Sequence, residues 1–443
     1  MKTIKAFCGL NLLALLCLAL FLPTAYQLIK ICILIIVVLC LGILLIFSKV
    51  VWSGETVFAC FLFALIGLFN SMHGAINDAP GAYRVLTVMS VWPLLYAFLS
   101  PMLNNKNSIV NLSTTFQLSL LIIIAYTFMF IGNAAGHIPD WLNIDFEENI
   151  GQGVAFYDGR VRLSLFSVAS LLFLIPFLMH HILLLERQRK ASVFHWTLLF
   201  TGFLLAVMTG RKGLQLAVIA TPLVIYFVNL LIVRERAHLQ LIRHSFSRRR
   251  LIIGSIAVFI SLLFAFDMFD IRIDELINYM LGGFDFDDAS NGDALARGDQ
   301  YLSLMQEWKR GNVWFGHGNG SHASVLRDDQ GMPWSYELTY IYLLFSTGLF
   351  GVLFYLLWFV WGLWRVRNAI AACPAMAIYI GPMITGTIGM MVGAASNPYF
   401  GKFDYLWIVF LPHLLAGAIR YQASDNRHSN RNDFKYELNS FKS

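Results

Sequence analysis

Apolar residues fill long windows of this chain, and polar positions gather in the gaps between them. A helix needs about 20 mostly apolar residues to cross ~30 Å of hydrocarbon. Scanned at that length, the sequence predicts twelve spans: 6–22, 28–48, 54–70, 85–103, 114–133, 163–184, 193–210, 213–233, 251–270, 337–361, 374–395 and 403–420. Only Thr209 to Gly213 separates the seventh from the eighth. The first span follows Lys2 and Lys5, as a secretory signal would. Leu22-Pro23-Thr24-Ala25 lacks small residues at both cleavage positions, so this span reads as an uncleaved first helix.

Composition removes the alternatives. The chain is 58% hydrophobic and 13% charged, where a soluble domain carries about 25% charged residues. A cytosolic enzyme, a secreted disulfide scaffold and a disordered chain are excluded. The expected fold is all-α: a polytopic membrane protein with about twelve transmembrane helices and one large outer loop between spans nine and ten. Residues 1–270 hold spans one to nine, 271–336 the periplasmic loop, 337–420 spans ten to twelve, and 421–443 a cytoplasmic tail.

Charge fixes the orientation, because Lys and Arg favour the cytoplasmic side. With the N-terminus inside, the inner segments hold 20 of the 32 basic and 6 of the 26 acidic residues. The outer segments hold the other 12 basic and 20 acidic ones, so the chain is +14 inside and −8 outside. Both termini are then cytoplasmic. The six cysteines, Cys8, Cys17, Cys32, Cys40, Cys60 and Cys373, avoid the outer loops and form no Cys-x-x-Cys pair, so neither a disulfide framework nor a metal pair is implied. Nothing in the pattern points to nucleic acid as a partner.

Two connections are long and both lie outside, at roughly 134–162 and 271–336. Long loops are usually functional or disordered, and the Trp and Tyr content of the second argues against disorder. From Ala294 to Trp308, Leu295, Leu302, Met305 and Trp308 recur at near-helical spacing, predicting an amphipathic helix on the membrane. Gly311 to Gly320 follows as a glycine-rich turn in which His317 is a weak signal and backbone geometry comes first. The acidic run Asp285, Asp287, Asp288 and Asp293 matches no complete calcium loop. It reads as a solvated loop, and no metal site is assigned.

Arg211, in the tight turn Thr209-Gly210-Arg211-Lys212-Gly213, is the most telling charge. It is either a snorkelling interface residue or a phosphate ligand, since a guanidinium pairs bidentately with phosphate oxygens. Arg297 begins the amphipathic helix and has Asp293 and Asp299 as candidate surface partners. Arg160 and Arg162 open span six and would serve equally as outer-leaflet anchors. Glu337 opens span ten, as a general base or as a helix N-terminal charge favoured by the macrodipole.

Together these residues resemble the O-antigen polymerase and O-antigen ligase superfamily, bacterial inner-membrane glycosyltransferases acting on polyprenyl-diphosphate-linked glycans. The resemblance covers roughly 205–405. It rests on the Arg211 turn opening a helix, an Arg297-led helix ending near Trp308, and the segment Trp314-Phe315-Gly316-His317-Gly318-Asn319-Gly320, which is similar to the family's Pro-x-x-Gly-x-Gly. Gly348-Leu349-Phe350-Gly351 follows on the next span. Ligases of the superfamily carry a His, followed by Asn, Ser or Gln, eleven residues before that Gly-x-x-Gly. Here that position is Glu337, followed by Leu338, and His317 and His322 lie too far upstream. The resemblance therefore favours a polymerase with Glu337 in the corresponding position.

It implies a metal-independent transferase without cofactors, whose donor and acceptor are lipid-diphosphate-linked glycans in the bilayer, with a chain-length regulator as a candidate partner. Arg211 and Arg297 would stabilise the departing diphosphate, with Arg160 or Arg162 as a third contact. Glu337 would orient or deprotonate the acceptor hydroxyl. Trp308, Trp314, Trp334 and Tyr336, beside His317, would offer faces for sugar rings, although such aromatics also form interface belts. The rival readings are a ligase, a twelve-span transporter or flippase, and a scaffold. The short connection at Leu185 to Ser192 and the charges at outer span ends argue against transport.

Overall fold

The computed structural model describes residues 2–48, 50–134, 136–139, 141, 154–157, 160–163, 165–209, 211–232, 292–326 and 331–440. Helices run in the order α1 (Lys2–Phe21), α2 (Gln27–Phe47), α3 (Gly54–Ile76), α4 (Ala82–Leu103), α5 (Lys106–Ala134), α6 (Ser167–Arg187), α7 (Val193–Met208), α8 (Lys212–Ile232), α9 (Gly292–Arg310), α10 (Thr339–Ala372), α11 (Ala377–Ala394) and α12 (Phe403–Ser440). A short antiparallel hairpin, β1 (Val154–Tyr157) with β2 (Arg160–Leu163), precedes α6.

Among the described residues ten helices are long and apolar enough to cross a membrane, and α7 is a shorter apolar helix of 16 residues. The chain is thus a polytopic, essentially helical membrane protein. The expected ninth span, 251–270, lies outside the described residues, as do the acidic run at 285–288 and most of the expected loop before α9. On α2, Leu28, Ile35, Leu39 and Ile46 are exposed while Val37, Leu41 and Leu44 are buried. Only a hydrocarbon surrounding makes that face stable in a folded chain.

Several helices outrun the predicted spans, α3 to Ile76 and α12 to Ser440 among them, and in two the reason is visible. α5 begins at Lys106 rather than 114 because its polar residues bond within the helix: Thr115 Oγ1 donates to Asn111 O at 2.9 Å and Ser119 Oγ to Thr115 O at 2.8 Å. α10 continues past 361 because Arg365, wholly buried, is fully engaged. Its guanidinium donates to Glu55 Oε2 at 3.0 Å, His413 Nδ1 at 2.9 Å and Thr56 Oγ1 at 3.2 Å. Arg420 also pairs with Glu55.

The core gathers on α6, α11 and α12. α6 packs on α11, and α10 packs on α12. Gly386 and Gly389 of α11 face Phe173 and Pro176 of α6 so closely that an added Cβ would fall 2.7 Å from Phe173 O and 2.6 Å from Pro176 Cγ. Small residues permit such close approach between membrane helices. Within α4 the backbone widens to a π-turn at Thr87–Val91, packed on α3, where Gly67 leaves room for the Met89 carbonyl.

α10 is broken at Gly348, whose φ of 65° and ψ of −173° lie outside the helical region. The break fits the glycine-rich turn 311–320. His317 N–H donates to Phe345 O at 3.0 Å and Gly318 N–H to Ser346 O at 2.8 Å. In return Val313 O accepts from Leu349 N–H and Trp314 O from Phe350 N–H, both at 3.0 Å. The break lies nine residues into α10, about 13 Å along its axis. Irregular backbone at such depth persists only where its polar groups are satisfied inside protein, and here the loop and the break satisfy each other.

Candidate functional site

The candidate residues lie at one end of the bundle, here called the loop end. Two packing relationships place them there. Gly213, at the start of α8, abuts Gly393 and Ser396 at the end of α11. Asn397 O, in the following turn, accepts from Thr339 Oγ1 of α10 at 2.9 Å. The N-termini of α8 and α10 are thereby set around the connection from α11 to α12.

The glycine-rich turn is clamped into this end by side chains as well as by the α10 break. Asn319 N–H donates to Asn70 O at 2.9 Å and Asn319 Nδ2 to Ser71 Oγ at 3.2 Å, both on α3. Gly320 N–H donates to the Tyr342 hydroxyl at 3.2 Å, and Gly81 N–H to Gly320 O at 3.1 Å. Gly318, at φ 88°, lies against the Gly74 backbone with no room for a side chain.

Arg297 and Glu337 meet here. Arg297 Nε donates to Glu337 Oε2 at 2.6 Å, with the side chains 23% and 21% exposed. The sequence suggested Asp293 or Asp299 for Arg297. This partner, Glu337, comes from the segment entering α10, which brings two of the three residues singled out for catalysis into contact; the Asp293 side chain lies outside those described.

Helix α9 shows how Arg297 is aimed. Gly298, Gln300, Ser303 and Leu304 are buried against the protein, whereas Leu295 and Leu302 are exposed. Glu307 locks the helix to the following strand of loop: its Oε1 accepts from Ser324 N–H at 2.7 Å. Of the apolar stripe legible in the sequence, Leu295 and Leu302 face outward while Met305 and Trp308 are partly buried, and Gln300, Ser303 and Leu304 pack inward.

Arg211 is half-buried just before α8. Its Nη2 donates to Leu165 O at 2.9 Å and its N–H to Thr209 Oγ1 at 3.3 Å. Among the described residues no carboxylate pairs with it. Arg160 and Arg162 lie on β2, registered against Tyr157 and Ala155. Gly210 lies outside the described residues.

The aromatic candidates divide by exposure. Trp314 is 65% exposed, so its indole face is open. Trp308 is partly buried and donates from Nε1 to Val313 O at 3.2 Å. Trp334 packs against the Gly81 backbone. Tyr336 is 1% exposed and stacks on Tyr342 at 5.3 Å. Its hydroxyl accepts from Ala323 N–H at 2.8 Å and donates to Val325 O at 3.1 Å. Burial pushes that phenol up to about 12, the Ala323 contact pulling the other way. His317 stacks on Phe345 at 4.6 Å, and its Nε2 donates to Glu307 O at 3.1 Å. Tyr336, His317 and Trp308 thus fasten the loop, and Trp314 is the ring this geometry leaves to meet a ligand.

Sequence reasoning passed over Lys402 and the pair Lys30–Asp404. Lys402 Nζ stands 4.8 Å from the Phe166 ring centroid, one residue from the carbonyl that holds Arg211. Lys30 Nζ lies 2.7 Å from Asp404 Oδ1 with both side chains 2% exposed or less. Ionisable residues inside apolar windows were the available signal. No protein-family model and no curated protein matches this chain.

Proposed function

We propose that this chain is a polysaccharide polymerase of the O-antigen type, joining polyprenyl-diphosphate-linked oligosaccharide units at the outer face of a bacterial inner membrane. The observation that carries this reading is the contact between Arg297 and Glu337 at the loop end. An acceptor sugar hydroxyl attacks the anomeric carbon of the donor, the bond from that carbon to the diphosphate breaks, and the polyprenyl diphosphate leaves. Glu337 takes or orients the hydroxyl proton, and Arg297 and Arg211 neutralise the leaving diphosphate. No nucleotide sugar is needed, since the lipid diphosphate is already an activated leaving group.

In this reading twelve spans put both termini in the cytoplasm and the loop end in the periplasm, as the basic-residue asymmetry suggests. Leu295 and Leu302 of α9 then rest on the outer leaflet, and Trp314 meets sugar rings. A transferase of the ligase type is disfavoured because Glu337 occupies the expected His position and His317 is fastened inside the loop.

Transport is the second reading, and the break in α10 is what favours it, since transporters bind ions at broken helices. Here the Phe345 and Ser346 carbonyls are bonded to the glycine loop instead. Lipid-linked products separate the readings. A strain lacking a polymerase makes single-unit surface glycan, and a strain lacking a flippase makes none.

A further inference from the structure

One polar side chain on the inward face of α9 is set apart from its neighbours. Ser303 Oγ lies in a hydrogen bond 2.9 Å from Ser324 Oγ and accepts from Val325 N–H at 3.2 Å. Glu307 Oε1 accepts from Ser324 N–H at 2.7 Å. Gln300, buried on the same helix, is 5% exposed, and its Oε1 is buried without a hydrogen-bond partner. Leaving a buried acceptor unpaired destabilises a fold, so a chain that keeps one calls for a reason.

Helical spacing sets Gln300 beside the Arg297–Glu337 pair. Residues three and four apart share a helix face, which aligns Arg297, Gln300 and Leu304 along α9. At one end of that row Arg297 Nε donates to Glu337 Oε2 at 2.6 Å. At the other, Leu304 is buried with Tyr336 and Phe345. Gln300 stands between these two contacts, against the start of α10 and about one turn from Arg297. A carboxamide offers one group that accepts and one that donates, and a sugar hydroxyl does both. A hydroxyl therefore satisfies Gln300 in either orientation of its amide. A phosphate oxygen only accepts, and so cannot pair with Oε1.

We infer that Gln300 is a substrate-binding residue that holds a hydroxyl of the acceptor sugar beside Glu337. The inference rests on the polymerase reading, in which Glu337 receives the proton of the attacking hydroxyl. It adds a contact to the sugar, whereas Arg297 and Arg211 act on the diphosphate. A residue that binds substrate and weakens the fold has a signature that a structural residue lacks. Replacing it with an apolar side chain leaves the fold at least as stable and weakens substrate binding.

Gln300→Met and Gln300→Leu remove the amide and keep most of the bulk. The full chain in detergent is measured in two ways, by thermal midpoint and by native mass spectrometry. The titrant is the lipid-linked repeat unit extracted from the same cells. Farnesyl diphosphate, which has the prenyl diphosphate and no sugar, is the control. Both variants are expected to melt no lower than wild type. They should bind the repeat unit about tenfold more weakly, with farnesyl diphosphate binding unchanged. Wild-type affinity for the repeat unit in the variants overturns the inference and assigns the Gln300 contact to an ordered water. A lower midpoint in both variants, or an equal loss of both ligands, makes Gln300 structural and overturns it as well. If the glycan ladder survives deletion of the protein while the variants lose affinity for the repeat unit alone, the polymerase reading falls and the sugar contact stands. If the ladder collapses on deletion while the variants bind the repeat unit as wild type does, the contact falls and the reading stands.

Discussion

Arg297 and Glu337, 40 residues apart in the chain, are joined Nε to Oε2 at 2.6 Å where helix α9 meets the entrance of α10. The pair is partly solvated, so its contribution to stability is small, about 0.2–1 kcal/mol. Its chemical value is larger if it belongs to the reaction. Arg297→Ala and Glu337→Gln should each cost on the order of 10²-fold in polymerising rate while the protein still inserts. The exchanged pair, Arg297→Glu with Glu337→Arg, should recover the thermal midpoint and leave the rate low. Recovery of long-chain glycan in the exchanged variant would reduce the pair to a clasp.

The joint between Gly348 and the glycine-rich turn should be intolerant of any side chain. Gly348 combines a φ of 65° with a backbone neighbour, Trp314, in the space a Cβ would fill. A non-glycine residue in such a conformation costs about 1–3 kcal/mol before the clash is added. Gly348→Ala should therefore lower the thermal midpoint in detergent by several degrees and expose the turn to protease. Gly42→Ala is the control, because nothing lies within 4 Å of that position. An unchanged midpoint for Gly348→Ala contradicts the docking.

Tyr336 holds the segment after the glycine-rich turn through Ala323 and Val325. Tyr336→Phe leaves the Ala323 amide without its partner, a loss of about 1–3 kcal/mol, read as faster hydrogen exchange at that amide. The pH dependence has a definite sign. The phenol is raised from 10.0 to about 12, so the folded state binds the proton more tightly than the unfolded chain. Its contribution is complete below pH 10 and is lost as pH rises toward about 12. In that window the hydroxyl's donation to Val325 O is lost, so the thermal midpoint should fall with rising pH more in wild type than in Tyr336→Phe.

Lys30 and Asp404 form a buried ion pair linking α2 to the start of α12. Removing one partner of such a pair costs about 3–5 kcal/mol, because the other charge is stranded. Lys30→Met should destabilise strongly, and adding Asp404→Asn should restore much of the loss while keeping an acceptor for Thr24 N–H. Simple addition of the two penalties in thermal melts would argue against direct coupling.

Hydropathy made most of the fold legible, since α1 to α8 and α10 to α12 fall where apolar windows predict helices. What it misplaced were ends, at Ile76, Lys106, Ala372 and Ser440 among them; near Lys106 polar residues bond within the helix, and before Ala372 Arg365 finds partners inside the bundle. The glycine-rich turn and Gly348 were each visible as motifs. Their mutual insertion was not, because backbone hydrogen bonds between distant segments leave no periodic trace. Arg211, Arg297 and Glu337 stood out as charges at span boundaries, yet the pairing of Arg297 with Glu337 needed the fold. Lys402 escaped notice because a lysine at a span boundary is ordinary until the Phe166 ring is found beside it.

The most direct test of the polymerase reading is the chain-length profile of surface glycan from cells with and without this protein. The account predicts a long ladder with the protein and single-unit glycan without it, with Arg297→Ala and Glu337→Gln matching the deletion. An unchanged ladder in the deletion, or loss of all surface glycan including the single unit, would contradict it.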